Sequence, residues 1–158
     1  MNVLVSACLL GEPCRYDGKA KCAAGLEEAL AAHGCDIVCI CPERDGGLPC
    51  PRPASEIAPD GARVVNEAGE DVTDAFERGA RIAVETACEH GCRLAVLKAK
   101  SPSCGAGSVY DGTFTGRLTE GDGFAVLALR AAGVRVVDER RFLEDPQAAL
   151  RFSVPEKQ

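Results

Sequence analysis

Three of the ten cysteines in this 158-residue chain stand just beyond short apolar runs of the kind that form buried strands. They are Cys8 after residues 3–7, Cys41 at the end of residues 36–41, and Cys104 beyond residues 94–98. Thiolates are nucleophiles and soft metal ligands, so the position of these residues decides what chemistry the chain can perform. If the three runs are neighbouring strands, the three sulfurs share one site.

Three converging thiols permit three kinds of chemistry. The first is a structural zinc site, which needs four protein ligands in tetrahedral coordination. No obvious fourth ligand is present, because His33 and His90 each precede a glycine and are interpreted as helix C-terminal caps. The second kind of chemistry is that of a thiol nucleophile or a redox pair, since Lys98 and Lys100 would lower the pKa of Cys104. Against it, no CxxC pair stands at the start of a predicted helix. The third is an iron–sulfur cluster, which suits cysteines dispersed among loops; three ligands would leave one iron open as a Lewis acid. The spacing alone leaves all three open.

The elements that must position these cysteines follow from the hydrophobic pattern. Apolar runs alternate with helical segments rich in Ala, Leu and Glu, which predicts the order β-α-β-α-β-α-β and an α/β domain with a mostly parallel sheet covered by helices on both faces. The predicted strands are 3–7, 36–41, 94–98 and 134–137, and the predicted helices are 23–33, 73–90, 123–132 and 145–152, with a small hairpin of 62–65 and 71–72 and a side-chain cap at Thr73. Right-handed crossovers send all the strand carboxyl ends to one edge, where open sheets bind ligands. The length fits a single domain over residues 1–158.

A polar loop rich in proline and glycine follows the second strand. From residue 38 to residue 56 the sequence reads VCICPERDGGLPCPRPASE. Nothing after the apolar run is expected to pack a core. A rigid polar loop on the end of a strand is where α/β proteins place functional residues, so we expect it to form part of the site.

Three motifs together resemble the thiouracil desulfidase family, long known only as a domain of unknown function. They are SACLLGEPCRYDG near the start, CPERDGGLPCPRP in the middle and LKAKSPSCG later. The resemblance covers almost the whole chain and implies a Rossmann-like fold. It also implies a 4Fe-4S cluster held by three cysteines, with the fourth iron free to take sulfur from a thiolated pyrimidine.

The resemblance carries the cluster ligands over one by one. Cys8 matches the cysteine of SACLLG, Cys104 that of SPSCG, and Cys41 that of CPE. Cys50, a few residues beyond the CPE motif, is the alternative to Cys41 as third ligand.

The same motifs imply the residues that act on the substrate. Glu43 matches the acid of CPE and would serve as base or proton shuttle in a non-redox hydrolysis, unless it is a solvated loop acid. Ser101 and Ser103 match the hydroxyls of SPSC and either orient the pyrimidine or only shape a turn. Four bases are candidates for holding the phosphate of a nucleotide substrate: Arg15, Lys19, Lys98 and Lys100. The alternative function is a non-catalytic module that senses or stores sulfur or iron.

Composition excludes several classes of protein. A net charge of -6 and an isoelectric point near 5.0 disfavour a nucleic-acid polymer as partner and leave a small molecule. No apolar run approaches the roughly 20 residues of a membrane helix, and no signal sequence precedes the first strand, so we expect a cytoplasmic protein. Its cysteines should be reduced, and four should be inert small hydrophobes: Cys22, Cys35, Cys88 and Cys92.

Overall fold

Four parallel strands form the sheet on which the rest of the chain packs. In this computed structural model residues 1–151 are described, and none of their helices is long and apolar enough to cross a membrane. In chain order the elements are β1 (Asn2–Ser6), α1 (Leu26–Ala32), β2 (Asp36–Ile40), α2 (Pro42–Asp45), β3 (Ser55–Ile57), β4 (Val64–Asn66), α3 (Thr73–Glu89), β5 (Leu94–Leu97), β6 (Ser108–Tyr110), β7 (Leu118–Glu120), α4 (Phe124–Ala131), β8 (Arg135–Asp138), α5 (Glu139–Glu144) and α6 (Pro146–Arg151). A 3₁₀ turn at Ala7–Leu10 follows β1 directly.

The main sheet has the strand order β2-β1-β5-β8, and all its neighbouring strands are parallel. Side chains of β1 alternate between two apolar cores. Val3 and Val5 pack with α1, α5 and α6, whereas Leu4 packs with α3 and α4 on the other face. The predicted parallel sheet with helices on both faces is therefore confirmed. A strand buried on both faces has no polar side, which is why the central residues of β1, Val3 to Val5, are all apolar.

The direction of winding reverses between β1 and β5. The chain passes from β1 to β2 on one side, and β5 later pairs with the other side of β1 and leads on to β8. Such a reversal opens a crevice beyond the carboxyl ends of the two strands. These ends are tied together, because the backbone N–H of Lys98 donates to the buried Ser6 Oγ at 2.9 Å.

The loop after β2 is more structured than its sequence predicts. It begins with α2, whose first residue is Pro42, and it ends in β3, which pairs antiparallel with β4. As expected, no residue from 42 to 56 belongs to either apolar core, yet Arg52 and Glu56 are only 8% and 9% exposed. Local sequence pattern cannot show that a charged side chain will find buried partners.

The predicted small hairpin is present: Val65 bridges Asp71 in antiparallel fashion, and the N–H of Val72 donates to Val64 O at 2.9 Å. Its first arm pairs in addition with β3. One further local prediction is corrected. The Thr73 side chain does not cap α3, because its Oγ1 accepts from Val64 N at 2.9 Å and donates to Asp71. Threonine here ties the helix start to β4 instead.

The boundaries of the main elements agree with the predicted ones to within three residues at each end. His33 and His90 occupy the C-cap positions of α1 and α3, as expected. The predicted C-terminal helix 145–152 corresponds to α6, and its residue 152 lies outside the described residues. The sequence prediction missed α5, a six-residue helix that follows β8 directly, and the antiparallel pair β6–β7, whose short strands lie in the glycine-rich loop after β5.

Two glycines allow α2 to lie directly on α3. A Cβ at Gly79 would overlap the carbonyl oxygen of Pro42, and a Cβ at Gly46 would overlap that of Ala75. The Arg78 side chain adds a hydrogen bond from Nε to Gly46 O at 3.1 Å. This backbone contact fixes the short helix that carries the CPE motif.

Replacing Gly79 with alanine is expected to destabilise the protein, although alanine normally favours a helix over glycine by about 0.5–1 kcal/mol. The added methyl group meets the backbone of Pro42, and overpacking of this kind costs about 1–3 kcal/mol. Urea titration followed by circular dichroism measures the free energy of unfolding. Glu77→Ala, at an exposed position of the same helix, is the control and should change it little. A Gly79→Ala variant as stable as the wild type would contradict the close contact.

Candidate active site

Loops at the carboxyl edge of the sheet enclose a cavity of about 380 Å³. Its lining comes from segments that follow β1, β2 and β5, from the loop after α2, and from the β6–β7 hairpin. Four cysteines are among the lining residues: Cys8, Cys14, Cys41 and Cys104. The expected convergence of three cysteines is therefore found, because neighbouring parallel strands end at the same edge.

The three expected cysteines are buried, and their backbones are held in place. Cys8 lies in the 3₁₀ turn directly after β1 and is 8% exposed. Cys41 is the N-cap residue of α2, and its N–H donates to Asp45 Oδ2 at 3.0 Å. The N–H of Cys104 donates to Ser101 Oγ at 2.7 Å. Local hydrogen bonds thus orient the segments that carry the sulfurs.

Cys14 is a cavity cysteine that the sequence prediction missed. Its side chain lies beside those of Cys8 and Cys41, and the Cys41 thiol donates to the Cys14 carbonyl at 3.7 Å. The available signal was its place in the SACLLGEPCRYDG motif. Cys50, the alternative ligand, does not line the cavity: its exposed thiol donates to two backbone carbonyls at 3.1 and 3.2 Å.

The surroundings raise the pKa values of three cavity thiols, those of Cys14, Cys41 and Cys104. Burial is the main cause for Cys104, whose pKa rises to about 11. The hydrogen bond with Cys14 is the main cause for Cys41, followed by burial. The expectation that Lys98 and Lys100 lower the pKa of Cys104 is therefore wrong. Raised pKa values argue against a reactive thiolate nucleophile, and such thiols must release protons when they bind a metal.

The donor set fits an iron–sulfur cluster better than a single ion. A structural zinc site places all its ligand atoms within bonding distance of a single ion. Within residues 1–151 no group of three or more His, Cys, Asp or Glu side chains is close enough together to hold one metal ion. A 4Fe-4S cube instead needs cysteine sulfurs roughly 6–7 Å apart, around a space that can hold it. Thiols around a cavity of about 380 Å³ provide soft donors and such a space.

Glu43 lines the cavity from α2 and contacts two polar side chains. Its Oε2 accepts a hydrogen bond from Ser103 Oγ at 3.3 Å, and its Oε1 lies 3.6 Å from Arg52 Nε. Only 16% of its side chain is exposed, so Glu43 is not a solvated loop acid. Burial raises the pKa of Glu43, while Arg52 and Ser103 lower it by smaller amounts. A carboxyl group in this setting can exchange a proton with a molecule in the cavity.

Arg52 is a buried cation that is not among the four bases expected to bind the substrate. Only 3% of its side chain is exposed; Nη1 donates to Pro49 O at 3.2 Å and Nη2 donates to Cys14 O at 3.1 Å. Its Nε makes no hydrogen bond within the described chain, and Glu43 supplies the charge opposite it. A buried guanidinium needs such compensation. The Arg52 side chain therefore connects the segment around Cys14 and the loop after α2 with the carboxylate of Glu43.

The two serines of the SPSC motif have different environments. Ser101 Oγ accepts from the N–H of Cys104 and so shapes the turn that carries this cysteine. Ser103 is 1% exposed, and its hydroxyl contacts Glu43. The N-terminus of α4 anchors the same loop, since the N–H of Ala125 donates to Ser103 O at 2.9 Å.

The four bases that were expected to bind substrate differ in position. Arg15 and Lys100 line the cavity, and so does Lys98, although its Nζ lies 3.4 Å from an acid of α5. Lys19 is exposed and is not among the lining residues, whereas Lys21 is. Loop curvature decides which of two nearby lysines reaches the cavity, and the sequence pattern does not reveal it.

Known proteins resemble this chain over almost its full length. A model of the 2-thiouracil desulfurase family matches residues 3–141. The uncharacterized protein YbbK of Bacillus subtilis (strain 168) is 37% identical over an alignment of 145 residues, which covers 87% of this chain and 95% of that protein. The solved structure of the 4Fe-4S-dependent thiouracil desulfidase TudS matches with a TM-score of 0.85 and 44% identity, over 93% of this chain and 96% of that one. The resemblance carried by the three motifs is thus confirmed, and the chain belongs to the 2-thiouracil desulfurase family.

Proposed function

We propose that this protein removes sulfur from a thiolated pyrimidine, thiouracil or its nucleotide, and releases the oxo-pyrimidine and hydrosulfide. Family membership and the solved 4Fe-4S-dependent relative support this activity. The observation that carries it is that buried cysteines and a largely buried acid line the same cavity. Such a site offers metal ligands and a proton-transfer group to one small molecule.

The proposed cofactor is a 4Fe-4S cluster bound by Cys8, Cys41 and Cys104, with one iron free of protein ligands. When bound, the cluster would supply a Lewis acid that polarises the thiocarbonyl group of the substrate. Cys14 is not among the three cysteines that the motifs match to cluster ligands, and it is proposed to remain a fourth thiol at the same cavity.

Glu43 is proposed to take a proton from the water molecule that adds to the ring carbon. The Ser103 hydroxyl holds Oε2 of this carboxylate, and Arg52 balances its charge from the other oxygen. The same carboxyl group can then return the proton to the departing sulfur. Thiouracil and water give uracil and hydrogen sulfide, so the overall reaction balances without any electron transfer.

Contacts to the substrate are proposed for the serines and bases of the cavity. Ser101 and Ser103 would orient the pyrimidine through their hydroxyl groups. Arg15 and Lys100 line the cavity and would hold the phosphate of a nucleotide substrate. Two further candidates, Lys98 and Lys19, would contribute less. The Lys98 Nζ is paired with an acid of α5 at 3.4 Å and also donates to Ala99 O at 3.0 Å, and Lys19 does not line the cavity.

A reducing compartment suits this chemistry. All ten cysteines are free thiols, and the cytosol keeps thiols reduced. We therefore place the reaction in the cytoplasm. The substrate is a small molecule rather than a nucleic-acid polymer, since the net charge of -6 repels a polyanion.

Thiouracil should be consumed in oxygen-free buffer without any electron donor, because a hydrolytic reaction transfers no electrons. Uracil and sulfide, measured by chromatography and by a colorimetric assay, should appear in equal amounts. Protein from which the iron has been removed by a chelator is the control and should be inactive. A strict requirement for a reductant would rule out the hydrolytic mechanism.

Serine variants of single cysteines test the ligand set. Cys41→Ser should lose both the broad absorbance of the cluster and the activity, because serine is a poor ligand for iron–sulfur clusters. Cys14→Ser should keep its iron content, and Cys50→Ser should keep iron and activity, since that thiol does not line the cavity. Loss of iron from Cys14→Ser would show that the proposed ligand set is wrong.

Glu43→Gln should assemble a normal cluster but lose most of its turnover. Glutamine keeps the shape and the hydrogen bond from Ser103 while it removes proton transfer, and loss of a general base lowers the rate about 10²- to 10⁴-fold. Steady-state kinetics and the cluster absorbance are the measurements. Glu12→Gln is the matched control, because this exposed acid pairs with Arg44 and does not line the cavity. Wild-type turnover by Glu43→Gln would make the acid a bystander.

A further inference from the structure

Phe114 has a backbone conformation that non-glycine residues rarely adopt. It lies in the turn between β6 and β7 with φ of 56°, and among the other non-glycine residues of the described chain only Lys100 has a positive φ. Both residues line the cavity. Such conformations persist where the surroundings impose them, and they concentrate at ligand sites. A bulky ring held in this way at a cavity calls for a functional explanation.

Hydrogen bonds of the turn impose this conformation. The buried Glu56 Oε1 accepts from the N–H of Gly112 at 3.0 Å and from the N–H of Phe114 at 3.3 Å. Asp111 Oδ1 accepts from the N–H of Thr113 at 3.0 Å and from its hydroxyl. A Cβ at Gly112 would collide with a backbone carbonyl of β3, so the turn lies directly against that strand. These contacts fix the backbone of the turn, and with it the point beside the cavity from which the Phe114 side chain extends.

The cavity has an exposed aromatic rim and a buried polar floor. Tyr16, Tyr110 and Phe114 all line it, although the chain contains only two tyrosines and five phenylalanines. Tyr16 is 43% and Phe114 is 38% exposed, whereas Ser103 and Cys104 are 1% and 4% exposed. Aromatic rings at such a rim can cover a flat ligand whose reacting group points to the floor. This arrangement suits recognition of a planar ring by stacking.

We propose that Phe114 stacks on the ring of the substrate and selects planar heteroaromatic rings over saturated or acyclic thiocarbonyl compounds. The inference rests on the proposed function for the identity of the substrate. Stacking depends on the π face of the ring and not on its sulfur atom. The same contact should therefore bind uracil, which can replace thiouracil in a binding experiment. A turn whose backbone is fixed before the ligand arrives has less conformational entropy to lose on binding, which gives the unusual φ of Phe114 a function.

The test compares the binding of uracil with that of 5,6-dihydrouracil, which has the same hydrogen-bonding groups on a puckered, non-aromatic ring. Protein kept free of oxygen is titrated with each ligand in a calorimeter. The wild type should bind uracil roughly tenfold more tightly than dihydrouracil. Phe114→Leu keeps an apolar side chain and should bind uracil roughly tenfold more weakly, without the preference. Phe114→Tyr should retain both the affinity and the preference.

Leu118→Ala controls for damage to the hairpin, because Leu118 is an exposed apolar residue of β7 that does not line the cavity. It should bind both ligands as the wild type does. In turnover assays with thiouracil, Phe114→Leu should raise KM while kcat and the cluster absorbance stay near their wild-type values.

Equal binding of the two ligands by the wild type, or no binding of uracil at all, overturns the inference. An unchanged preference for uracil in Phe114→Leu overturns it too. A wild type that prefers uracil through Phe114 but leaves thiouracil intact would uphold the stacking and refute the proposed function instead.

Discussion

The parallel pairing of β1 with β2 on one side and with β5 on the other is the constraint on which the candidate site depends. Its register aligns Ser6 with Ile40 and Val5 with Val96, so the three strands end at nearly the same level. The loops that leave them must then share one edge, and the cysteines they carry line one cavity. A slip of one residue would turn each side chain to the opposite face of the sheet and move the strand ends apart.

Within that edge, a buried ion pair joins segments that are distant along the chain. Arg52 donates to the carbonyls of Cys14 and Pro49 and faces Glu43, which in turn accepts from Ser103. A buried pair of charges adds little net stability, because desolvation offsets much of the attraction. Its consequence here is geometric: the acid, one cavity cysteine and the loop after β5 are held relative to one another. Loss of either charge would leave the other uncompensated in a largely buried place.

Close backbone contacts build both sides of the cavity. On one side the carbonyl of Pro42 lies where a Cβ at Gly79 would be, which brings α2 and its acid against α3. On the other side Glu56 fixes the turn that carries Phe114. The cavity is thus bounded by rigid elements, with buried thiols at its floor and aromatic side chains at its rim. Rigid placement of this kind is what a site needs when it must orient a small, flat molecule before bond cleavage.

The sequence by itself determined the parallel α/β fold, the family, and the convergence of Cys8, Cys41 and Cys104. Buried strands are visible as apolar runs, and parallel strands end at one edge whatever the loops do. Only the tertiary structure decided that Arg52 is buried among cavity residues and that Cys50 stays outside. Arg52 reaches a carbonyl 38 residues away along the chain, and no local pattern encodes such a partner. Strand position is a local property of the chain, whereas the direction in which a loop side chain points is set by packing between distant segments.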